Sequence, residues 1–404
     1  MNIIIFEDHN IDNLKPFSIN HASFEIKCGL HSNLERIVNN FNNNDSVYLI
    51  VRDELKDLVQ ERFPRCTVNP KNIPEGLYLN GAVIWNQELI NKIMEGSAFS
   101  SSGNLIAFKN DDSANIDNIN DIINQKSNIT IEIEADYISY LWDCIDLFKK
   151  IVNLDQEKWF DLNYDFGGSF AHIRNRMIDQ IDVINKDDIF IHETNNIQIG
   201  SILDASNGPI ILGKNVTIEA GSILKGPLFI DQNSIISNGA KLKENILIGP
   251  NCKIGGEITN TIFHGYSNKA HDGFLGDSYI GEWVNLGANT NNSNLKNNYS
   301  HVRFNFSDKT IDTNKTFLGA MIGDFTRTGI STMINTGSYF GLGCNLFGGG
   351  FQEKYVQSFS WGKDSMVEFD KFINTIKIMK DRRSQKLSNT EINFLKNIYQ
   401  KLKK

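Results

Sequence analysis

The stretch from Leu212 to Ile254 constrains the fold of this 404-residue chain more than any other part of it. Every sixth residue in the stretch is a leucine or an isoleucine: Leu212, Ile218, Leu224, Ile230, Ile236, Leu242, Ile248 and Ile254. A helix repeats apolar residues about every 3.6 positions and a half-buried strand about every 2, so neither explains a period of six. A hexapeptide period is typical of a parallel β-helix, in which each hexad forms one short strand and a corner. The pattern predicts a three-sided prism with three hexads in each coil.

We expect this β-helix to extend on both sides, over residues 191–362. The period breaks at Asn260, resumes at Phe274 and is interrupted again by a long excursion at about Asn289 to Thr316. Its last phase is Ile322, Thr328, Ile334, Phe340 and Leu346. Because insertions in solenoids often carry the binding site, we expect the site to lie near these two interruptions.

Composition limits the classes of partner. The net charge is −8 and no basic block occurs, so we expect no nucleic-acid and no membrane partner. The apolar run at Met1–Phe6 is too short for a signal peptide or a membrane span and reads as a first strand. The five cysteines are scattered without metal-ligand spacing, which favours free thiols in a reducing cytoplasm.

Residues 1–135 are predicted to form an α/β, Rossmann-like domain, because strands alternate with helices. The predicted strands are Asn2–Phe6, Ser46–Val51, Leu77–Ile84 and Asn104–Lys109, and the predicted helices are Ser32–Phe41, Glu54–Phe63 and Gln87–Met94. Such strands favour a parallel sheet with its ligand at the carboxyl ends, so the loop after the first strand is the first candidate. Residues 136–190 are predicted to be a helical linker, and residues 363–404 to be helices that cap the end of the prism.

The N-terminal domain resembles the sugar nucleotidyltransferases. The strand Ile4–Phe6 and the segment Leu14–Ser18 lie in the register of that family's first strand and of its Leu-Arg-Pro-Leu-Thr motif. The glycines of the family's phosphate-binding loop fall on His9 and Ile11, and its loop arginine falls on Asn13. Because glycine amides and basic side chains hold phosphate in phosphoryl transfer, the resemblance is to a degenerate domain.

Other residues could form a substitute nucleotide site in this domain. The candidates are Lys15, His21, Lys27, Arg52 and Asn80. Asp8, just past the first strand, could bind the Mg²⁺ that an active nucleotidyltransferase needs, or it could cap a turn. The sequence does not identify a metal site.

The segment Asn268–Ala288 carries the sharpest local motif. It contains a histidine, a Leu-Gly-Asp, an Ile-Gly and a Val-Asn-x-Gly-Ala. It resembles the acetyltransferase half of the bifunctional N-acetylglucosamine-1-phosphate uridyltransferase and glucosamine-1-phosphate N-acetyltransferase family, in its archaeal-like and Bacteroidetes-like branch. The later segments Gly319–Gly323 and Ser358–Gly362 are also typical of that branch.

This resemblance implies a left-handed β-helix and an acetyl-CoA-dependent N-acetylation of an amino-sugar 1-phosphate, with glucosamine 1-phosphate as the first candidate. It also implies a homotrimer whose acyl site lies between neighbouring prisms, with the excursion reaching a partner. His271 would be the general base, a role suited to an imidazole because it titrates near neutral pH.

Residue by residue, the resemblance assigns further roles. Asn285 would contact the sugar amine or a neighbouring hydroxyl, and Lys253 and Lys296 would bind phosphate. Ala288 and Ala320 would offer backbone groups to acetyl-CoA. Two substrate-site positions depart from the family: Phe274 replaces a tyrosine, and Asn294 lies in a segment that replaces Cys-Asn-Tyr-Asp-Gly. The acceptor sugar therefore stays open.

Two alternatives remain. The chain could also make a UDP- or dTDP-sugar from a nucleoside triphosphate in its first domain, using Mg²⁺. It could instead be a non-catalytic trimeric scaffold that binds a sugar nucleotide; the intact His271 and Asn285 argue against this for the β-helix.

Overall fold

The computed structural model describes residues 1–42, 44–162 and 181–403, and the side chains of residues 157–162 are not described. Within these ranges, no helix has both the length and the apolar character that crossing a bilayer requires. The chain forms an N-terminal α/β domain, a long helix, a parallel β-helix and two C-terminal helices.

The N-terminal domain is built on a seven-stranded sheet. The strands of the domain are β1 (Asn2–Phe6), β2 (Lys27–Cys28), β3 (His31–Ser32), β4 (Ser46–Ile50), β5 (Thr67–Val68), β6 (Asn72–Ile73), β7 (Gly76–Asn80), β8 (Ala98–Ser101), β9 (Asn104–Asn110), β10 (Ala114–Asn115) and β11 (Ile131–Glu132). The order of the strands in the sheet is β11-β8-β9-β7-β1-β4-β5. Its helices are α1 (Asn33–Val38), α2 (Lys56–Arg62), α3 (Gln87–Met94) and α4 (Ile119–Ser127).

Both faces of this sheet are covered, which explains why β1 is apolar from Ile3 to Phe6. Ile3 and Ile5 pack with residues of α1, α2 and α3, whereas Ile4 and Phe6 pack with α4. The predicted Rossmann-like class is confirmed. The expectation of an all-parallel sheet is wrong at one strand, because β9 runs antiparallel to both β7 and β8. A short turn joins β8 and β9 into an antiparallel hairpin, because two parallel strands would need a much longer crossover connection.

The β-helix follows the long helix α5 (Leu141–Leu162). Leu212 pairs with Ile230 and Ile230 with Ile248, and Ile218 pairs in the same way with Ile236. Each pair is three hexads apart and every one of these ladders is parallel, so the predicted β-helix with three hexads per coil is confirmed. The aliphatic side chains of the hexads form one continuous core inside the prism.

The first described strand of the prism, β12, lies before the predicted start at residue 191, and the segment 163–180 of the predicted linker lies outside the described residues. The strands are β12 (Asp182–Ile184), β13 (Ile189–Ile191), β14 (Asn196–Ile197), β15 (Ile202–Asp204), β16 (Ile210–Leu212), β17 (Thr217–Ile218), β18 (Ile223–Lys225), β19 (Leu228–Ile230), β20 (Ile235–Ile236), β21 (Lys241–Leu242), β22 (Ile246–Ile248), β23 (Lys253–Ile254), β24 (Glu257–Gly265), β25 (Asn268–Lys269), β26 (Phe274–Glu282), β27 (Asn291–Asn292), β28 (Arg303–Asn305), β29 (Thr310–Asp312), β30 (Ala320–Ile322), β31 (Arg327–Thr328), β32 (Met333–Ile334), β33 (Ser338–Phe340), β34 (Asn345–Leu346), β35 (Tyr355–Val356), β36 (Ser360–Trp361) and β37 (Ser365–Met366).

Two details of the interrupted region differ from the prediction. The core phase resumes at Leu275, which pairs with Ile258, and not at Phe274, because the break shifts the register by one residue. The excursion folds back on its own chain: its hairpin β28–β29 packs Phe304 against Trp142 of α5, with ring centroids 5.1 Å apart. The expectation that the excursion also reaches a partner stays a prediction.

The C-terminal segment forms α6 (Phe369–Asp381) and α7 (Asn389–Lys403), as predicted. These helices pack along one corner of the prism rather than only over its end. Phe372 of α6 contacts Phe325 and Phe359, at centroid distances of 6.2 and 5.2 Å. α7 also contacts α2, so the C-terminal helices connect the prism to the N-terminal domain.

Candidate functional site

One outward-facing column of the prism brings together residues that are distant in sequence. Lys253 pairs with Asn268, Asn268 with Asn285, and Asn285 with Arg327. Because neighbouring strands are about 4.8 Å apart, Asn285 lies two rungs from Lys253 and one from Arg327. The ladder continues through Asn345 to Trp361, and we call these six residues the outward column. The resemblance to the acetyltransferases pointed to Lys253 and Asn285, and the structure places them on this one face.

His271 lies at the corner that follows the outward column and its side chain is exposed. Asn268, three residues before His271, donates from Nδ2 to Oδ1 of Asn285 at 2.7 Å. The candidate base therefore follows, by three residues, the asparagine that is hydrogen-bonded to the candidate amine-binding residue, and it lies on an accessible corner. An exposed imidazole at such a corner can exchange its proton with solvent between turnovers.

Lys269 lies inside the prism, a feature that the sequence analysis missed. It pairs with Ile254 at a position where the hexads otherwise carry aliphatic residues, and it is only 1% exposed. Its Nζ donates to the carbonyl oxygen of His271 at 2.9 Å and to that of Gly255 at 3.3 Å. Burial lowers the pKa of Lys269 to about 8, although Asp272 opposes the shift. Lys269 anchors the turn that carries His271, and only its pairing with Ile254 shows that it lies inside the prism.

Replacing Lys269 with methionine should separate activity from stability. Methionine fills the same space without a buried charge, so we expect the melting temperature to stay the same or to rise. The turn loses its anchor, and a displaced base is costly, so acetyl transfer should fall about 10-fold or more. Thermal denaturation and steady-state kinetics measure the two effects. Leu286→Met, in the same prism core, is the matched control, and a Lys269→Met protein with full activity would contradict the anchoring role.

The other residues assigned to the acetyl site are less free to contact a substrate, because they are partly buried or bonded within the chain. Phe274 is half-buried. Asn294 donates from Nδ2 to Asp277 at 2.6 Å, and Lys296 donates to Ser300 at 3.3 Å within the excursion. Ala288 is partly exposed at the corner next to His271, whereas Ala320 is fully buried in the prism core and its N–H donates to Ser278.

Asp8 and Asn80 lie together at the carboxyl ends of β1 and β7. Asp8 Oδ2 accepts hydrogen bonds from Asn80 Nδ2 at 2.8 Å and from Tyr137 Oη at 2.5 Å, and Asp8 Oδ1 accepts from the Asn10 N–H at 2.9 Å. The bond to Asn10 is the turn-capping contact considered above. Both oxygens accept hydrogen bonds, and Asp8 belongs to no group of three or more potential metal ligands among the described residues. This arrangement does not fit a Mg²⁺ site, which needs free carboxylate oxygens.

The basic candidates of the N-terminal domain are occupied by internal partners. Arg52 donates to Glu7 at 3.2 Å and to the carbonyl oxygens of Ser18 and His21 at 2.8 and 3.0 Å. Lys15 pairs with Asp12 at 2.9 Å, and Lys27 pairs with Asp231 of the prism at 3.6 Å. These three basic candidates and Asn80 do not converge on one open site.

His21 instead belongs to a buried network between the N-terminal domain and the prism. We call it the interface network, and its members are His21, Glu25, Arg62, His264, Glu282 and Asp324. His21 Nε2 lies 2.8 Å from Asp324 Oδ2, and His264 Nδ1 lies 3.0 Å from Glu282 Oε1. Ligand atoms of His21, Glu282 and Asp324 lie within 4.8 Å of one another, but hydrogen bonds already link these side chains to other members of the network or to the backbone. We therefore treat the network as an ionic contact between domains.

The interface network predicts a specific pH dependence of stability. Burial alone would lower the pKa of His21, but the carboxylates of Asp324 and Glu25 outweigh burial and raise the pKa to about 9. Since the unfolded imidazole titrates near 6.5, the stabilisation is fully present below about pH 6.5 and is lost as the pH rises through about 9. The free energy of unfolding should fall by up to about 3 kcal/mol more in the wild type than in His21→Asn over this range. Urea unfolding between pH 6 and 10 measures the difference, and parallel curves for the two proteins would contradict it.

Residues 3–159 match the family model described as sugar nucleotidyl transferase. The N-terminal domain is similar to the sugar nucleotidyl transferases. This match spans β1 to α5, and it includes the positions at which the phosphate-binding residues of such transferases are replaced.

Curated relatives carry both halves of the resemblance in their names. The chain is 36% identical over 106 residues to a bifunctional sugar-1-phosphate nucleotidylyltransferase/acetyltransferase of Sulfurisphaera tokodaii, covering 26% of each chain. It is 28% identical over 209 residues to the bifunctional protein GlmU of Wigglesworthia glossinidia brevipalpis, covering 49% of this chain and 42% of the relative. An uncharacterized acetyltransferase, YaiX of Escherichia coli, is 36% identical over 146 residues, or 35% of this chain and 64% of the relative. The chain thus spans less than two thirds of the length of each of these relatives.

Proposed function

We propose that this chain is a transferase that moves the acetyl group of acetyl-CoA to the amine of an amino-sugar phosphate on its β-helix. The observation that carries the proposal is the exposed His271 beside the outward column, with Asn285 and the cation of Lys253 on the same face. The names of the relatives, which combine nucleotidylyltransferase and acetyltransferase, support the same reaction class.

The reaction needs a base because the sugar amine is largely protonated at neutral pH. His271 takes a proton from the ammonium group, and the free amine attacks the thioester carbonyl. The new C–N bond forms as the C–S bond breaks, and the thiolate leaves with a proton as free coenzyme A. The products are the N-acetylated sugar phosphate, coenzyme A and one proton.

The neighbouring residues would bind and orient the two substrates. Asn285 would hold the amine or an adjacent hydroxyl, in an orientation fixed by the 2.7 Å hydrogen bond from Asn268. Lys253 is the stronger phosphate candidate, because Lys296 is bonded within the excursion. Asn294, Phe274 and the backbone of Ala288 would shape the remaining walls for the sugar and acetyl-CoA. Ala320 is the weakest candidate because it is buried.

We also propose that the protein acts as a cytoplasmic homotrimer. A single prism leaves His271 exposed, which suits an acyl site that a neighbouring prism completes. Light scattering on the purified chain tests this assembly, and a monomer with full activity would contradict it.

For the N-terminal domain, we propose a structural role rather than nucleotide transfer. Its basic candidates are bonded to other residues, and in the described part of the chain Asp8 joins no group of three or more potential metal ligands. Release of pyrophosphate from UTP or dTTP with a hexose 1-phosphate and Mg²⁺ would overturn this part and favour the bifunctional alternative.

The test of the proposed function is thiol release from acetyl-CoA with glucosamine 1-phosphate, followed by identification of the acetylated product. Turnover that depends on both compounds is the expected result. If no amino-sugar phosphate supports thiol release, the scaffold alternative replaces the proposal.

A further inference from the structure

A cavity lies between the last coils of the prism and α6. Its volume is about 530 Å³, within the range of about 300–1,000 Å³ typical of ligand pockets. The floor is apolar and formed by Phe325, Phe372 and Val367, and the rim includes Arg327, Trp361 and Lys371. The edge-on contacts of Phe372 with Phe325 and Phe359 fix α6 on the prism, so the cavity is built by packed elements.

Arg327 is the rim cation that lacks a carboxylate partner among the described residues. The guanidinium of Arg327 contacts Sδ of Met379, and burial lowers the pKa of Arg327. Lys371 differs, because it pairs with Glu368 at 2.8 Å on the surface. A partly desolvated guanidinium without a counter-ion is suited to phosphate, which it can bind through two parallel hydrogen bonds.

Trp361 supplies an aromatic surface at the same cavity. It is 50% exposed, and Phe347 contacts it at a ring-centroid distance of 5.3 Å with the planes 69° apart. An exposed indole ring is a platform on which a nucleobase can stack. Arginine and tryptophan on one cavity therefore match a ligand that has both a phosphate group and a base.

The outward column fixes the order of these groups relative to the candidate acetyl site. Arg327 pairs with Asn285 on one side and with Asn345 on the other, and Asn345 pairs with Trp361. At about 4.8 Å per rung, Arg327 is about 5 Å from Asn285, and Trp361 is about 10 Å beyond Arg327. Along the column, the sugar site comes first, the cation second and the aromatic ring third. The sugar, the diphosphate and the base follow one another in the same order in a sugar nucleotide.

We propose that the acetyl acceptor is an amino sugar carried on a nucleoside diphosphate, with its diphosphate on Arg327 and its base on Trp361. This inference rests on the proposed function and names the class of its acceptor. The amide forms as described above, and the diphosphate stays intact throughout. Lys253, on the other side of Asn285, is the cation that a simple sugar 1-phosphate would use instead, so the two acceptor classes depend on different residues.

The first experiment measures binding to the full chain by calorimetry with UDP, dTDP, GDP, CDP and ADP. We expect one or more of these to bind the wild type, and Arg327→Met to weaken that binding at least 10-fold. Trp361→Ala should also weaken it, and Arg303→Met, at an exposed arginine of the excursion, is the control. Binding that is absent in the wild type, or unchanged in Arg327→Met, overturns the inference.

The second experiment compares acetylation of glucosamine 1-phosphate with that of the glucosamine derivative of the nucleotide that binds. We expect Arg327→Met to raise KM for the nucleotide-linked sugar at least 10-fold and to leave KM for the 1-phosphate unchanged, with Lys253→Met showing the opposite pattern. A rise in KM for acetyl-CoA alone would assign the cavity to the donor and overturn the inference. Turnover of the 1-phosphate without nucleotide binding leaves the proposed function standing and removes only this acceptor class. Absence of any transfer contradicts the proposed function, while the calorimetry still decides whether the cavity binds nucleotides.

Discussion

We expect His271→Ala to reduce the turnover number for acetyl transfer by a factor of about 10² to 10⁴. This is the range lost when a positioned general base is removed. The side chain of His271 is exposed at the corner, so the substitution should leave the melting temperature within about 1 °C of the wild type. The measurement is thiol release at saturating acetyl-CoA, with a parallel thermal denaturation curve.

His301→Ala is the matched control, because His301 is also exposed and lies within the excursion, where its 3.7 Å pair with Asp312 is on the surface. Its activity should equal that of the wild type. Equal loss of activity in His271→Ala and His301→Ala would show that His271 is not the general base.

Asp324→Ala should destabilise the protein by about 3–5 kcal/mol, the usual cost of removing one partner from a buried ion pair. Asp324 is 2% exposed, and its carboxylate accepts hydrogen bonds from His21 and Asn20 and from the Glu282 N–H, each at 2.8 Å. Without it, the imidazolium of His21 is buried beside Arg62, and Glu25 is the carboxylate that still contacts both side chains. Urea denaturation measures the loss, and Asp312→Ala, at an exposed carboxylate, should change stability by less than about 0.5 kcal/mol.

A double-mutant cycle with His21→Ala assigns this energy to the pair. If the two residues act as one contact, the double variant should be no less stable than Asp324→Ala alone. Fully additive losses would show that Asp324 acts through the backbone of the prism and not through the N-terminal domain.

The hexad pattern predicted the prism and its three-hexad coil, because each aliphatic side chain meets another one coil away, as Leu212 meets Ile230. The helix Gln87–Met94 was also predicted to the residue, since Asn86 caps it and its apolar side chains face the sheet. The phase error at Phe274 has a local cause: a period carries no information about how many residues an interruption absorbs.

The arrangement between elements was not predictable in the same way. His21 and Arg52 were candidates for a nucleotide site on charge and position, but their partners come from segments that no local pattern connects to them. Asp324 lies 303 residues from His21. Lys269 was missed for a related reason, because a lysine in sequence is assumed to be exposed, and only the pairing with Ile254 shows that it is inside. The role of Arg327 likewise depends on α6, which packs over it from the C-terminal segment.

The docking of the N-terminal domain has a consequence for the order in which the protein is assembled. Contacts at the domain boundary join residues that are far apart in the chain: His264 and Glu25 are 239 positions apart, and Lys401 and Glu54 are 347 positions apart. A ribosome delivers the α/β domain long before the coil that carries Asp324, so the nascent domain must keep His21 and Glu25 in water until that coil has formed. Contacts of such long range slow folding. Docking should therefore be the last and slowest step of folding, and a chain interrupted before that coil would present a charged, undocked surface.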